Sequence, residues 1–232
     1  LIMLQNHSTA QEAYCTRCGR PHTLPREPAI EAAKDLMARM DLELATDTLY
    51  GDARGKMFGV LVCRTPDGKL TTLKAFSGQY NGQWQLPGWV PPLFNVKDFH
   101  ALNDPVEKQI KALGREAESS SDPSILEKRR QLSRKLMKDI HALYRLHNFR
   151  GQQSSLAELL QGRGIATGTG DCCAPKLLNY AAQNNLHPLA IAEFYWGKTN
   201  RSATRHEGNF YLACTDKCGP ILGFLLCGLE KS

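Results

Sequence analysis

At 232 residues, with 42% hydrophobic and 22% charged side chains, the chain is long enough to bury a conventional core, which excludes wholesale disorder and fibrous architectures. No stretch approaches the roughly eighteen uncharged apolar residues of a membrane span, and Leu1-Ile-Met-Leu4 is too short for the apolar part of a signal peptide. A cytoplasmic setting without a membrane is therefore expected. The net charge of +6 is matched by one segment, Lys128 to Arg145, where seven basic residues meet a single acid, Asp139.

Residues 1–28 are polar and turn-rich and read as a small knuckle preceding the main domain, 29–232. Cys15-Thr-Arg-Cys18-Gly19 with His22 resembles half of a zinc knuckle. Two ligands make no structural site without two more, so His22 is the candidate third and Cys63 a distant fourth. The alternative is a pair of exposed reduced thiols. Cys63 and Cys227, inside apolar runs, otherwise read as small buried hydrophobes.

From Ala29 to Met40, Ile30, Ala33, Leu36, Met37 and Met40 recur at helical spacing. Met57–Cys63 and Leu70–Phe76 are strand-like runs, and Pro66-Asp67-Gly68 between them supplies a turn, which predicts a β-hairpin. Ser77 to Phe94, rich in Gly, Pro and aromatics including Trp84 and Trp89, reads as a long ordered loop. Two helices follow, Pro105–Glu118 and Pro123–Asn148, with Asp122 as N-cap and Pro123 in the first helical position. Val106, Ile110 and Leu113 face Leu132, Leu136, Ile140 and Leu143, so an antiparallel helical hairpin over 105–148 is expected. Lys128, Arg129, Arg130, Arg134, Lys135 and Lys138 read as the opposite, exposed face. Such a density attracts a phosphate backbone, so RNA or a nucleotide is the expected partner, against the alternative of a merely solvated helix.

Gly162-Arg-Gly-Ile-Ala-Thr-Gly-Thr-Gly-Asp171 is a glycine-rich loop leading into a helix near Cys172 and Cys173, with Asp171 as expected N-cap. Leu189–Trp196 reads as a strand. A polar loop with Arg201, Arg205 and His206 then leads to Cys214-Thr-Asp-Lys-Cys218 and an apolar helix, Pro220–Leu229.

A thiol at a helix N-terminus lies beside unpaired backbone N–H groups, which favour its thiolate. Cys173, Cys214 and Cys218 are therefore expected to converge as three ligands of a zinc ion with one open position, Cys172 being the alternative first ligand. A second possibility uses Cys172 or Cys173 as the nucleophile of an amidase or thioesterase, with His206 as base.

The order of hairpin, cysteine-bearing helix, strand and second cysteine-bearing helix resembles the cytidine-deaminase-like fold. The resemblance implies α/β/α layers with the helical hairpin inserted, and zinc-dependent, deaminase-like chemistry on a nucleotide or RNA. In that family a His or Cys followed by Ala-Glu opens one helix and Pro-Cys-x-x-Cys opens the next. Here Cys173-Ala174-Pro175 places a proline where the proton-shuttling Glu stands, and Cys214-x-x-x-Cys218 carries one residue too many. Glu193, on the following strand, is the candidate substitute.

Phe76-Ser-Gly-Gln-Tyr-Asn-Gly82, Pro87-Gly-Trp-Val-Pro-Pro92, Thr167–Lys176 and Ala192-Glu-Phe-Tyr-Trp-Gly197 carry a closer resemblance. They are similar to the region ahead of the catalytic domain in RluA-type bacterial pseudouridine synthases, also met as a stand-alone protein, over Tyr14 to Leu229. That implies a setting in RNA modification. The catalytic Asp motif of those synthases does not occur here, so a non-catalytic RNA-binding accessory module is the alternative to a deaminase-like enzyme.

Overall fold

The computed structural model describes residues 9–120 and 122–231, so Leu1–Leu4 and Ser121 lie outside the described residues. The Asp67-Gly68 turn, with Gly68 at φ 85°, closes the expected hairpin of β3 (Lys56–Arg64) and β4 (Leu70–Phe76). This hairpin is half of a four-stranded sheet. Strand β7 (His187–Trp196) pairs antiparallel with β3, and the two-residue β8 (Phe210–Tyr211) pairs antiparallel with β7, giving the order β4-β3-β7-β8.

Strand alternation distributes this sheet's side chains to two cores. Phe58, Val60, Val62, Phe76, Ala190, Ala192 and Phe194 pack against Ala29, Ala33 and Leu36 of α1 (Glu27–Met37). Leu61, Cys63, Ala75 and Ile191 face the other way, into a core shared with α6 (Cys173–Gln183) and α7 (Gly219–Leu226). The sheet is thus sandwiched between α1 and the α6–α7 pair. A short helix α2 (Met40–Glu43) continues the α1 side.

The N-terminal segment is more regular than its polar composition suggests. It forms an antiparallel hairpin, β1 (Ala10–Cys15) and β2 (Arg20–Pro25), with the Cys15-x-x-Cys18 pair at its turn. Ala13 and Leu24 alternate inward and join the core of α7. Contact there is backbone to backbone: a β-carbon added at Gly223 would lie 2.0 Å from the Tyr14 carbonyl oxygen.

The helical hairpin consists of α3 (Val96–Ser119) and α4 (Pro123–His141). Helix α3 starts nine residues before Pro105, because the Asn95 side chain accepts hydrogen bonds from the Lys97 and Asp98 amides and so supplies the cap. Asp122 caps α4 as expected, accepting from the Ser124 amide. Helix α4 stops at His141 rather than Asn148. Beyond it, Leu146–His147 (β5) pairs with Gln153–Ser154 (β6), and the Asn148 side chain accepts from the Arg150 and Gln152 amides to close the turn between them. The hairpin is rooted by aromatic packing: the Phe94 ring lies 5.0 Å from Trp84, 5.1 Å from Phe99 and 5.0 Å from Tyr144. Trp84 and Trp89 therefore serve the core. Helix α5 (Leu156–Leu160) follows β6, held by a capping box between Ser155 and Glu158.

Gly223→Ala is expected to lower the unfolding free energy by about 1–3 kcal/mol through overpacking against β1, measured by chemical denaturation. Gly164→Ala, at a position with open space and ordinary φ, serves as the neutral control.

Candidate metal centre and nucleic-acid interface

Four side chains converge where β1–β2 meets the end of α7. The ligand atoms of Cys15, Cys18, His22 and Cys227 all lie within 4.8 Å of one another. The turn Cys15-Thr-Arg-Cys18-Gly19 brings the first two together, closed by the Gly19 amide donating to the Cys15 carbonyl at 2.9 Å with Gly19 at φ 69°. Strand β2 then presents His22, whose Nε2 is 3.1 Å from Cys18 Sγ. Its Nδ1 is 2.7 Å from Glu230 Oε1, and a proton held on Nδ1 for that carboxylate leaves the Nε2 lone pair facing the cysteines.

Cys227 enters from the C-cap of α7. Arg150 Nε donates to its sulfur at 3.1 Å, placing a positive charge against a group of three thiols. Burial works against ionisation of Cys18, but hydrogen bonds with His22, Cys15 and the Arg20 backbone bring its thiol down to about 7. Burial dominates at Cys227 and pushes it up to about 11. Three sulfurs and one imidazole nitrogen at this spacing form a set that can hold a metal ion such as zinc. Cys63, the expected distant ligand, is elsewhere: it is fully buried under α6 and its thiol is pushed up to about 12 by burial alone.

The expected trio of Cys173, Cys214 and Cys218 does not assemble into such a group among the described residues. Adjacent helical positions point about 100° apart, and α6 turns Cys173 inward. Its thiol faces the carbonyls of Met57 at 3.4 Å and Ala75 at 3.7 Å, and burial holds it well above the usual thiol range. Cys172 is the N-cap of α6 in place of Asp171, whose carboxylate instead accepts from the Tyr144 hydroxyl at 2.6 Å. Interaction with Cys218, the N-cap of α7, leads burial in raising the Cys172 thiol, and the same interaction, with the Gly170 and Cys172 amides adding to it, lowers the Cys218 thiol against burial. Cys214 is turned into its own loop, where its sulfur accepts from the Lys217 amide at 3.4 Å.

Glu193 lies on the α6 face of β7, opposite Gly59 of β3. A β-carbon at Gly59 would approach Cys173 Cβ to 2.7 Å, so α6 rests directly on the sheet here. Glu193 is buried and accepts from the Ala174 amide at 2.9 Å, meeting an otherwise unpaired donor of the helix N-terminus. Burial raises its carboxyl to about 7, with Cys218 adding to the rise and the Ala174 amide, Arg205 and Arg26 opposing it. The cavity beside it offers about 10 Å³, the lower limit for a single water. His206 stands on an exposed loop, its amide donating to the Tyr211 hydroxyl at 2.9 Å, and no hydrogen bond joins its ring to Cys172 or Cys173 among the described residues. The nucleophile–base pairing expected from the sequence is therefore not formed.

Lys128, Arg129, Arg130, Arg134, Lys135 and Lys138 are all exposed on α4. Arg130, Arg134 and Lys138 follow one another at four-residue intervals along one line. Arg129 departs from the expected arrangement: it sits over α3, where a β-carbon at Gly114 would be 3.6 Å from its Nε. Glu127 pairs with Arg130 at 3.9 Å and Asp139 with Lys135, while Lys128, Arg134 and Lys138 make no ion pair among the described residues.

No helix among the described residues is long and apolar enough to cross a membrane. Searches against protein-family models, curated proteins and solved structures return no match.

Cys227→Ala is expected to abolish metal retention, read by elemental analysis of protein purified without added metal, whereas Cys63→Ala leaves it intact. Glu193 gives a separate pH signature. Because its folded pKa of about 7 exceeds the ordinary 4.5, its contribution is fully favourable below pH 4.5 and is lost as pH rises to about 7. Glu193→Gln, which keeps an acceptor for the Ala174 amide, is expected to flatten that decline and to be more stable than the parent at pH 8 by roughly 1–3 kcal/mol in denaturant titrations.

Proposed function

We propose that this chain is an RNA-binding module clasped by a structural zinc ion and built on a cytidine-deaminase-like scaffold. It serves RNA modification of the pseudouridine-synthase type, with the chemistry supplied by another protein or domain. The observation that carries the reading is the exposed basic line Arg130–Arg134–Lys138 on a helix rooted in the core, which offers cations to a phosphate backbone; among the described residues only Arg130 of the three makes an ion pair, an exposed one with Glu127 at 3.9 Å.

The zinc assignment rests on donor chemistry. Three thiolates and a neutral imidazole suit zinc, and a full set of four protein donors suits a structural role rather than a catalytic one, which needs an open position. Glu230 behind His22 and Arg150 beside Cys227 are the supporting contacts such a centre uses. The scaffold reading is supported by the strand order β4-β3-β7 with α6 and α7 on one face and α1 on the other. The motifs at Phe76–Gly82, Pro87–Pro92, Thr167–Lys176 and Ala192–Gly197 support the link to pseudouridine synthases. Binding is favoured over deamination because Pro175 occupies the proton shuttle's place, Glu193 is committed to the α6 N-terminus, and the space beside it admits no base. Eight free cysteines suit a reducing, cytoplasmic setting.

Fluorescence anisotropy with a labelled single-stranded RNA tests the reading. Arg130→Ala with Arg134→Ala should weaken binding and lower the slope of log K against log salt by about 1.4, two phosphate contacts at about 0.7 each. Unchanged affinity and slope would reduce the basic line to a solvated helix face.

A further inference from the structure

At the foot of α4 a cleft of about 500 Å³ opens between the helix end and the β6–α5 segment. Lys138, His141 and Arg145 form one wall, Gln153 and Glu158 stand on the other, and Ile165 adds an apolar surface. Lys138 belongs both to this wall and to the exposed basic line, so a strand following Arg130 and Arg134 reaches the cleft without leaving the helix.

Glu158 is the distinctive group here. Its Oε2 accepts from the Ser154 hydroxyl at 2.7 Å and from the Ser155 amide at 2.9 Å, and Arg17 lies 3.8 Å from the same oxygen. Those contacts fix its direction and, led by the Ser154 hydroxyl, hold its carboxyl below the usual range, so it is an ionised acceptor. A carboxylate on one wall, partnered at one oxygen by Ser154, Ser155 and Arg17, makes the cleft a poor seat for a phosphate alone. A ligand carrying hydrogen-bond donors on one edge and negative charge on another satisfies both walls.

We infer that this cleft receives one unstacked guanine of a single-stranded RNA, with Glu158 accepting from the base and Lys138 and Arg145 holding the flanking phosphates. This rests on the RNA-binding reading above. Guanine presents two adjacent donors, the ring N–H and the exocyclic amine, which suit one carboxylate. Uracil offers a single N–H between two carbonyl oxygens that the same carboxylate repels, and adenine and cytosine place a ring acceptor beside their amine. The Ile165 side chain supplies the apolar contact for the base face.

The test uses the whole protein and short uridine strands carrying a single central G, A, C or U, read by anisotropy. The G strand should bind roughly tenfold tighter than the all-U strand. Glu158→Gln keeps the capping box, since Gln serves that position as Glu does. Ala157→Trp, at an exposed position, fills the cleft. Each should bring the G-to-U ratio to within about twofold of unity while leaving the salt slope at its parental value. The inference is overturned by a parent protein without G preference, or by a ratio that survives both substitutions. If Arg130→Ala with Arg134→Ala still weakens binding in that case, the RNA-binding reading stands and only the base pocket falls. A parent that binds none of the four strands overturns both.

Discussion

The close approach of α7 to β1 is the constraint on which the rest of the molecule depends. At Gly223 there is no room for even a methyl group against the Tyr14 carbonyl, so the helix lies on the strand at backbone distance. That contact brings Cys227 to Cys15 and Cys18. The apolar residues of α7, Ile221, Leu222, Leu225 and Leu226, are buried in the same packing, which fixes the helix against α6. A metal bound to three thiols and His22 would lock in place an arrangement the packing has already made, and its binding free energy would add to folding free energy.

On the other side of that packing, the N-termini of α6 and α7 bring the Cys172 and Cys218 thiols to interact without forming a metal-binding group among the described residues. Cys173, one position on, is turned beneath the helix toward β3 and β4. Glu193 completes this junction by taking the Ala174 amide. Groups that the sequence suggests as a catalytic constellation are thus put to structural use, capping helices and closing a core.

Much of the fold was legible because it is set locally. The Asp67-Gly68 turn, the alternation of Val60, Leu61 and Val62, and the Asp122-Pro123 start of α4 each carry their own physical signal, and each element forms where that signal lies. Boundaries set by single side chains were less visible. Asn95 starts α3 ahead of Pro105, and Asn148 turns the chain that helical periodicity would have continued. The site was half legible. Cys15, Cys18 and His22 stand close in sequence, whereas the fourth ligand is joined to them only by the tertiary contact at Gly223. No local pattern marks it, since the Cys-Gly dipeptide at Cys227 occurs both at Cys18 and at Cys218, which caps α7 instead. Arg129 shows the opposite limit: its charge is evident from sequence, but its place over Gly114 depends on how α3 and α4 meet.

The Cys15–Cys227 junction also makes nearly the entire domain a closed loop in the mechanical sense. With a metal ion held by these residues, tension applied to the chain before Cys15 and after Cys227 would pass through the metal–sulfur bonds and bypass the sheet, which would feel none of the load until the clasp opened. Pulled through a narrow pore, the metal-bound domain would resist as one body and then yield abruptly, with the ion and not the hydrophobic core setting the threshold.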